Sequence, residues 1–542
     1  MNTVLKQVAT QLKASGSTSG APLMERFASR QSNEIVMAFA GPIGCGIQSV
    51  INKTRTCLLE LGYERVEVIK LSKFLSTSVD EGRITALSRP QSCSEKFYHY
   101  RKLQQAGRDI REKSQNKQIL AEYAVQQIVF NREAHPQDQL EDGERPVPAR
   151  VAYLIDQVKR PEEVELLRAL YRNLFYLVGV TKPYEQRKKL LEEEGVYENE
   201  APNLIEIDRN EEGDGGQRLD KTLHLADFFI RNDANLDQRN SIKRFTRLIH
   251  GDKSQTPDRL ETGMYAAYAA GLRSACLSRQ VGAAIANQSG EIIATGCNDV
   301  PAPLGGLYST SSANDSRCVH KGGECFNDKE KRKLQRSIGE LVKSEFKKRE
   351  IDKQLDQWLD GFLETIYRET RLGSLIEFSR SVHAEMDAIV SLARGGSVGI
   401  AGATLYTTTF PCHSCARHIV AAGISEVYYI EPYEKSMAQE LHDDAISFED
   451  PKQPESGDST SPNGVGHRVK FLHFEGVSPR LFATAFRAED RKDKRTGRFI
   501  PISNDGPRKI LPEYMDNYQA FEDAAFKHFQ EVLEKQLPAK QA

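Results

Sequence analysis

Two short motifs place one histidine, one glutamate and two cysteines at spacings that suit metal-dependent chemistry. The first motif is His383-Ala384-Glu385, and the second is Pro411-Cys412-His413-Ser414-Cys415. An imidazole and two thiols supply three zinc ligands, whereas structural zinc sites close all four positions with protein ligands. The fourth position is left for water, so the sequence predicts a catalytic Zn²⁺ site with His383, Cys412 and Cys415 as metal ligands.

Glu385 lies beside this ligand set but is not needed to complete it. Zn²⁺ held by a neutral imidazole and two thiolates lowers the pKa of its bound water to roughly 7. The pattern H-x-E…P-C-x-x-C is typical of zinc-dependent nucleobase deaminases, so we predict that Glu385 is the catalytic proton carrier. It takes the water proton and delivers it to the ring nitrogen and then to the leaving ammonia. The alternative is a redox Cys-x-x-Cys pair with an unrelated histidine.

The elements that must position these residues follow from the local pattern. Apolar residues at helical spacing predict a helix that starts near Ser381 and ends at Gly395-Gly396. The β-branched and aromatic run 403–408 predicts a strand. Pro411 is predicted to open a second helix. Both thiols then face the same way from its first turn, where the helix N-terminus favours thiolates.

These motifs resemble those of the cytidine and deoxycytidylate deaminase superfamily, and the resemblance extends upstream. Residues 278–285 and 292–301 look like the first hairpin of that family. By this resemblance, Asn298 would contact the sugar of a bound nucleotide, and Arg279 would lie near its 5′-phosphate. The alternative for Asn298 is a turn residue after a strand. Three positions depart from the residues common in the family: Cys297, Asp299 and Asp387.

Composition narrows the class of protein. The chain has 542 residues, enough for two or three domains. Its net charge is −2, so the chain lacks the overall excess of positive charge that is typical of proteins that bind duplex DNA or long RNA. Nine scattered cysteines fit a reducing compartment better than a disulfide framework. Without an apolar leader or an apolar run that approaches a membrane span, we expect a cytoplasmic protein with no membrane partner.

A different pattern begins near residue 33. The apolar run 35–40 precedes a Gly-rich turn and a helical stretch, and further apolar runs alternate with charged helical stretches as far as residue 207. Near-continuous apolar strands that alternate with helices predict a parallel sheet covered on both faces.

The Gly-rich turn resembles the phosphate loop of P-loop kinases in a degenerate form. A functional loop needs a lysine followed by serine or threonine, but Ile47 and Gln48 stand at those positions. Retained nucleotide binding, phosphoryl transfer and a purely structural role are the three interpretations. The candidate nucleotide-binding residues are Gly41, Gly44, Gly46 and Ser49.

The sequence therefore predicts an α/β protein with two main domains. The first is a P-loop kinase-like parallel sheet with helices on both faces, and the second is a cytidine-deaminase-like αβα sandwich. The predicted ranges are a polar lead-in at 1–32, the kinase-like domain at 33–252, the zinc-dependent deaminase domain at 253–487 with an insert at about 302–378, and a C-terminal helical tail at 488–542.

The insert contains a second set of possible metal ligands. Cys318, His320 and Cys325 could supply three ligands to a structural zinc, as the resemblance to some deoxycytidylate deaminases implies. No fourth ligand is evident from the spacing, so ordinary reduced cysteines are the favoured interpretation.

The fusion of the two domains resembles bacterial anti-phage dCTP/dCMP deaminases over most of the chain. That resemblance implies deamination of deoxycytidine nucleotides, dCTP and/or dCMP, to deoxyuridine nucleotides, which would deplete dCTP during infection. It also implies a homo-oligomer, and we hypothesise that the N-terminal domain is regulatory and gated by nucleotide or RNA. The alternatives are a deaminase acting on cytosine or adenine in RNA or single-stranded DNA, and a non-catalytic nucleotide-binding regulatory protein.

Overall fold

The computed structural model describes most of the chain. The described residues are 31–135, 149–211, 213–233, 237–348, 355–396, 399–432, 436–448, 468–487, 491–501, 509–511, 513, 526, 529, 530, 532–535 and 537. The predicted lead-in at 1–32 and tail at 488–542 lie largely outside them. None of the helices in these ranges is long and apolar enough to cross a membrane.

The described residues form two compact units. The first combines those within Met1–Pro257 with those within Glu475–Ala542, and the second is Asp258–Phe474. Each unit is built around one six-stranded sheet that contains both parallel and antiparallel strand pairs.

The first unit contains six strands and ten helices longer than a single 3₁₀ turn within its described residues. They are β1 Ile35–Ala40, α1 Ile47–Glu60, β2 Arg65–Lys70, α2 Leu71–Asp80, α3 Glu95–Ser114, α4 Ile119–Ala134, β3 Val151–Asp156, α5 Pro161–Tyr171, β4 Phe175–Thr181, α6 Tyr184–Glu193, α7 Ala201–Arg209, α8 Leu219–Leu223, β5 Phe228–Arg231, α9 Gln238–Ile249 and, after the second unit, β12 Gly476–Val477 and α16 Pro479–Ala485.

The first sheet has the order β2-β3-β1-β4-β5-β12, with β2 to β5 parallel and β12 antiparallel to β5. Every residue of β1 is buried. Met37 and Phe39 pack with Ile51 of α1 and Phe245 of α9. The alternate residues of β1 point the opposite way and are also buried, so the sheet is covered on both faces, as the continuous apolar run predicts.

The first sheet includes a strand from outside the predicted range of the first domain, 33–252. Strand β12 pairs Gly476 with Phe229 and Val477 with Phe228. The second unit therefore ends at Phe474 rather than at the predicted residue 487, because the chain returns to the first sheet. A strand of two residues carries too little periodicity to be recognised in the sequence.

The second unit contains the remaining elements. They are α10 Arg259–Gly271, β6 Gly282–Ala286, β7 Ile292–Cys297, α11 Phe326–Lys348, α12 Leu355–Glu369, α13 Ala384–Gly395, β8 Thr404–Thr409, α14 His413–Ala421, β9 Glu426–Glu431, α15 Ala438–Leu441, β10 Ile446–Ser447 and β11 Val469–His473. The sheet order is β7-β6-β8-β9-β11-β10. Strands β8 to β11 are parallel, and β6 is antiparallel to both neighbours.

The second sheet lies between two layers of helices. Residues of α13 and α14 share one core with Ile285 and Leu405. On the opposite face, Tyr406 packs so closely against α10 that a Cβ on Gly263 would lie 2.3 Å from its ring. This three-layer arrangement agrees with the predicted αβα sandwich.

Candidate active site

The histidine and the first cysteine each stand immediately before a helix. His383 is the N-cap of α13, and Cys412 is the N-cap of α14. The predicted helix starts at Ser381 and Pro411 are wrong by three and two residues. Ahead of α13, the Val382 N–H donates to the Asp299 carbonyl (2.9 Å), which holds this segment extended.

The observed helix starts explain how the three metal-ligand atoms come together. The Cys415 N–H, in the first turn of α14, donates to Cys412 Sγ at 3.4 Å, as expected for an N-cap side chain. His383 Nδ1 lies 3.3 Å from Cys412 Sγ and 3.3 Å from Cys415 Sγ. Two helix N-termini point at the group, and their positive ends favour thiolates.

The donor set fits a zinc ion. All three ligand atoms lie within 4.8 Å of one another. Tetrahedral zinc with bonds of about 2.1 Å to nitrogen and 2.3 Å to sulfur separates those donors by about 3.6 Å. The 3.3 Å spacings from His383 Nδ1 to the two sulfurs are within a few tenths of an ångström of that value.

The two thiols and the imidazole share protons when no metal is present. Hydrogen bonds from the Cys415 thiol and from His383 lower the pKa of Cys412 to about 4. The hydrogen bond to Cys412 raises the pKa of His383 to about 9, while the shared proton and burial raise the pKa of Cys415. A bound dication favours the thiolate form of both cysteines.

Glu385 is held at the edge of the donor set. Its side chain is 4% exposed, and its Oε2 accepts a hydrogen bond from Cys415 Sγ at 3.5 Å. Burial raises the pKa of its carboxyl. The structure thus brings together all four predicted zinc and catalytic residues.

Helix α13 is fixed to β7 by a close approach and a hydrogen bond. A Cβ on Gly296 would lie 2.1 Å from the Ala384 carbonyl oxygen, so only glycine admits the helix at this distance. The Cys297 N–H donates to Asp387 Oδ2 at 3.2 Å. Asp387, which departs from the usual family residue, therefore anchors the helix that carries Glu385.

A cavity of about 290 Å³ opens beside these residues. Its walls include His383, Glu385 and Cys412, together with Asn298 and Arg279. Small-molecule pockets in proteins span about 300–1,000 Å³. The cavity is thus of a size for one small ligand or one extruded base.

Asn298 and Arg279 line this cavity, but their polar groups already have partners. Asn298 Oδ1 accepts from the Val281 N–H at 2.7 Å, and its Nδ2 donates to the Arg279 carbonyl at 2.8 Å. Arg279 Nη1 pairs with Glu431 Oε2 at 2.8 Å. The amide of Asn298 therefore shapes the loop 279–281, and its sugar contact stays a prediction, as does the phosphate contact of Arg279.

Several wall residues were not predicted. They come from the segment between α10 and β6, from the start of α11 and from the residues just before His383: Cys276, Ser278, Phe326, Asn327, Ser379, Arg380 and Ser381. The available sequence signal was the charge of Arg380 three residues before the metal-binding histidine.

The possible second zinc ligands do not converge among the described residues. Of these, only His383, Cys412 and Cys415 form a group of metal-binding side chains within reach of one ion. Cys318 and Cys325 line the cavity, whereas His320 is 55% exposed and its Nε2 lies 3.3 Å from Asp315 Oδ2. The favoured interpretation of reduced cysteines is therefore kept.

The Gly-rich turn of the first unit follows β1 and leads into α1. Gly44 and Gly46 have positive φ of 77° and 71°, and Gly46 is the N-cap of α1. The Ile43 N–H donates to Asp208 Oδ2 at 2.7 Å, and Lys159 Nζ bridges Asp208 Oδ1 (2.6 Å) and the Gly41 carbonyl (3.0 Å). The Asp208 carboxylate therefore already accepts the hydrogen bond of the Ile43 N–H. Ser49 is exposed.

Comparison with known proteins identifies relatives of the second unit. Residues 257–431 match the family described as the cytidine and deoxycytidylate deaminase zinc-binding region. The chain is 32% identical to the deoxycytidylate deaminase of Enterobacteria phage T4 over 176 residues, which are 32% of this chain and 79% of that protein. It is also 44% identical to the ComE operon protein 2 of Bacillus subtilis (strain 168) over 68 residues, 12% of this chain and 35% of that protein.

Among solved structures, the apo dCMP deaminase of the cyanophage S-TIM5 aligns with 40% of this chain and 99% of its own, at 18% identity and a TM-score of 0.20. The relationship therefore rests on the sequence relatives. The matched zinc-binding region, together with the His383, Cys412 and Cys415 donor set, confirms zinc as the predicted cofactor.

Proposed function

The chain belongs to the cytidine and deoxycytidylate deaminase family, and from that premise we propose that it deaminates deoxycytidine nucleotides, dCMP and/or dCTP, to deoxyuridine nucleotides. The observation that carries the proposal is the buried Glu385 carboxylate, held 3.5 Å from a zinc-ligand sulfur beside a cavity of about 290 Å³. A non-catalytic binding protein has no need for a carboxylate buried beside a complete ligand set, because its desolvation is costly.

The residues divide the work of hydrolysis. Zinc held by His383, Cys412 and Cys415 would supply a Lewis acid that makes water acidic at neutral pH. Glu385 Oε2 accepts a proton from the water and passes it to N3 of the cytosine ring as the water oxygen bonds to C4. Glu385 then carries the proton of the new C4 hydroxyl to the exocyclic amine. The C4–N bond breaks, ammonia leaves, and C4 keeps a carbonyl oxygen. Burial keeps bulk water from competing for these proton transfers.

The charge of the chain favours a free nucleotide over a base within a nucleic acid. A deaminase that acts on polymers needs a groove lined by cations and aromatic side chains in addition to a pocket for the base, and the near-neutral net charge does not favour such a groove. Cytosine or adenine in RNA or single-stranded DNA is thus the second candidate substrate.

One assay separates these candidates. Purified protein is incubated with dCMP, dCTP, cytidine and single-stranded oligonucleotides, and deaminated products are measured by chromatography. The variant Glu385→Gln and the exposed control Glu340→Gln are run in parallel. We expect free deoxycytidine nucleotides to be converted by wild type and by the control only. Products confined to oligonucleotides would refute the nucleotide proposal.

We further propose that the first unit regulates the deaminase by binding nucleotide or RNA. The order β2-β3-β1-β4-β5 places the turn Gly41–Gly46 at the carboxyl end of the central strand, where open parallel sheets bind ligands. Because Asp208 occupies the Ile43 N–H, a phosphate could bind there only after this carboxylate moves. Asp208→Asn should strengthen binding of ATP, GTP or inorganic phosphate, measured by calorimetry. If neither wild type nor the variant bound these ligands, the proposal would be refuted and the turn would have only a structural role.

We also propose that the chain acts as a homo-oligomer in anti-phage defence by draining dCTP. The two-unit organisation and the deaminase relationship support this role. Cells that express the wild-type protein should show a lower dCTP pool after infection than cells that express Glu385→Gln, measured by mass spectrometry. Light scattering of the purified chain tests the oligomer, and equal dCTP pools would contradict the defence role.

A further inference from the structure

Two arginines line the cavity, and their environments differ. Arg279 forms an ion pair with Glu431 Oε2 at 2.8 Å, and Thr409 Oγ1 donates to the same oxygen at 2.8 Å. The charge of Arg279 is thus neutralised by a carboxylate that a second donor also holds in place. A substrate phosphate would have to compete with Glu431 for this guanidinium.

Arg380 is positioned without a carboxylate. Its guanidinium carbon lies 4.9 Å from the centre of the Phe326 ring, and Nη1 donates to the Ser316 carbonyl at 3.2 Å. Among the described residues, no carboxylate forms an ion pair with it. A guanidinium carries five N–H donors in a planar fork that matches phosphate. Stacking on Phe326 fixes the plane of the fork and leaves its charge unneutralised.

Three hydroxyl groups share the cavity wall with Arg380: those of Ser278, Ser379 and Ser381. The Ser278 and Ser381 hydroxyls each lie 3.8 Å from a cysteine sulfur, Cys325 and Cys276 respectively. Sulfur is a weak hydrogen-bond partner. These O–H groups would therefore form stronger hydrogen bonds with a phosphate oxygen than with the sulfur.

Arg380 also has a fixed relation to the zinc ligands. It lies three residues before His383, and the intervening Val382 is tied to Asp299 by a backbone hydrogen bond of 2.9 Å. A group held by Arg380 is thus positioned relative to the metal by one short extended segment.

We propose that Arg380, stacked on Phe326 and flanked by Ser278 and Ser381, binds the 5′-phosphate of the nucleotide and selects nucleotides over nucleosides. This inference deepens the proposed function and rests on it for the identity of the substrate. Arg380 is a specificity residue in this account, because it contacts the substrate far from the reacting C4. Arg279 then serves mainly to hold the loop 279–281 against Glu431.

The test compares ligands that differ only in the phosphate. Calorimetry measures the affinities of dUMP and deoxyuridine for zinc-loaded wild type, Arg380→Gln, Arg380→Lys, Arg279→Gln and the exposed control Arg336→Gln. We expect Arg380→Gln to lower the ratio of dUMP to deoxyuridine affinity by about 10- to 100-fold, as a lost charge-assisted bidentate contact predicts. Arg380→Lys keeps the charge but not the fork and should give an intermediate ratio.

Equal loss of affinity for both ligands in Arg380→Gln would show a structural role and overturn the proposal. A ratio that falls in Arg279→Gln but not in Arg380→Gln would also overturn it. Binding of dUMP through Arg380 by a protein that deaminates no cytosine compound would refute the proposed function but not this inference, so the two failures are distinguishable.

Discussion

Alanine at position 296 tests whether the contact between β7 and α13 sets the geometry of the metal site. The added Cβ would lie 2.1 Å from the Ala384 carbonyl oxygen and 2.5 Å from the Ala388 nitrogen. Both are backbone atoms of α13, so no side-chain rotation relieves the overlap. An ordinary carbon–oxygen contact is about 3.3 Å, and the helix must therefore retreat by about 1 Å.

This retreat would move half of the site and leave the other half in place. His383 and Glu385 stand at the start of α13, whereas Cys412 and Cys415 stand at the start of α14. Overpacking of this kind costs about 1–3 kcal/mol of folding free energy. A misplacement of about 1 Å reduces turnover by about 10²-fold. We therefore expect Gly296→Ala to fold, to bind zinc more weakly and to deaminate slowly.

Zinc release to a competing chelator gives a readout that does not depend on activity. Gly395→Ala is the matched control, because an added Cβ at this position of the same helix meets nothing within 4 Å. The control should retain zinc like wild type. If Gly296→Ala folded with wild-type zinc affinity and turnover, the close approach would not control the site.

Three further outcomes are expected. His250, bonded to Tyr63 Oη (2.7 Å), has its pKa lowered by burial to about 3, so the unfolded chain binds more protons between about pH 6.5 and 3. The free energy of unfolding should decrease as the pH is lowered through that window, by up to about 1.4 kcal/mol per pH unit. The variant His250→Gln should flatten the slope of melting temperature against pH. Arg111→Met removes the cationic partner of the buried Glu163 carboxylate, 2.8 Å from the guanidinium, and should cost about 3–5 kcal/mol in urea unfolding; a cost below about 1 kcal/mol would contradict this. Chelation should expose two additional reactive thiols, counted with a thiol reagent, and Zn²⁺ should protect them again.

The zinc donors were predictable because the ligands come in two short motifs. A histidine and a glutamate two residues apart, and cysteines three residues apart, need only local structure to face one point. The exact helix starts were not predictable. Pro411 and Ser381 are local helix signals, but the hydrogen bond between Val382 and Asp299 involves a residue more than eighty positions away.

The rest of the cavity depends on contacts between distant segments. Phe326 and Arg380 stack at 4.9 Å although 54 positions separate them, and no pattern in the sequence indicates this pairing. Asn298 was expected from the family resemblance to contact the sugar of a nucleotide, but its bonds to the loop 279–281 depend on tertiary structure. In the first unit, the turn Gly41–Gly46 was predicted from its glycines, whereas its occupation by Asp208 required the fold.

We propose that Glu385 moves protons at a zinc site that deaminates deoxycytidine nucleotides. The most direct measurement is single-turnover conversion of dCMP and dCTP by protein of known zinc content, comparing wild type with Glu385→Gln. We predict about one zinc per chain in both proteins, with deoxyuridine nucleotide and ammonia formed by wild type alone. Equal conversion by both proteins, or no conversion by zinc-loaded wild type, would contradict the account.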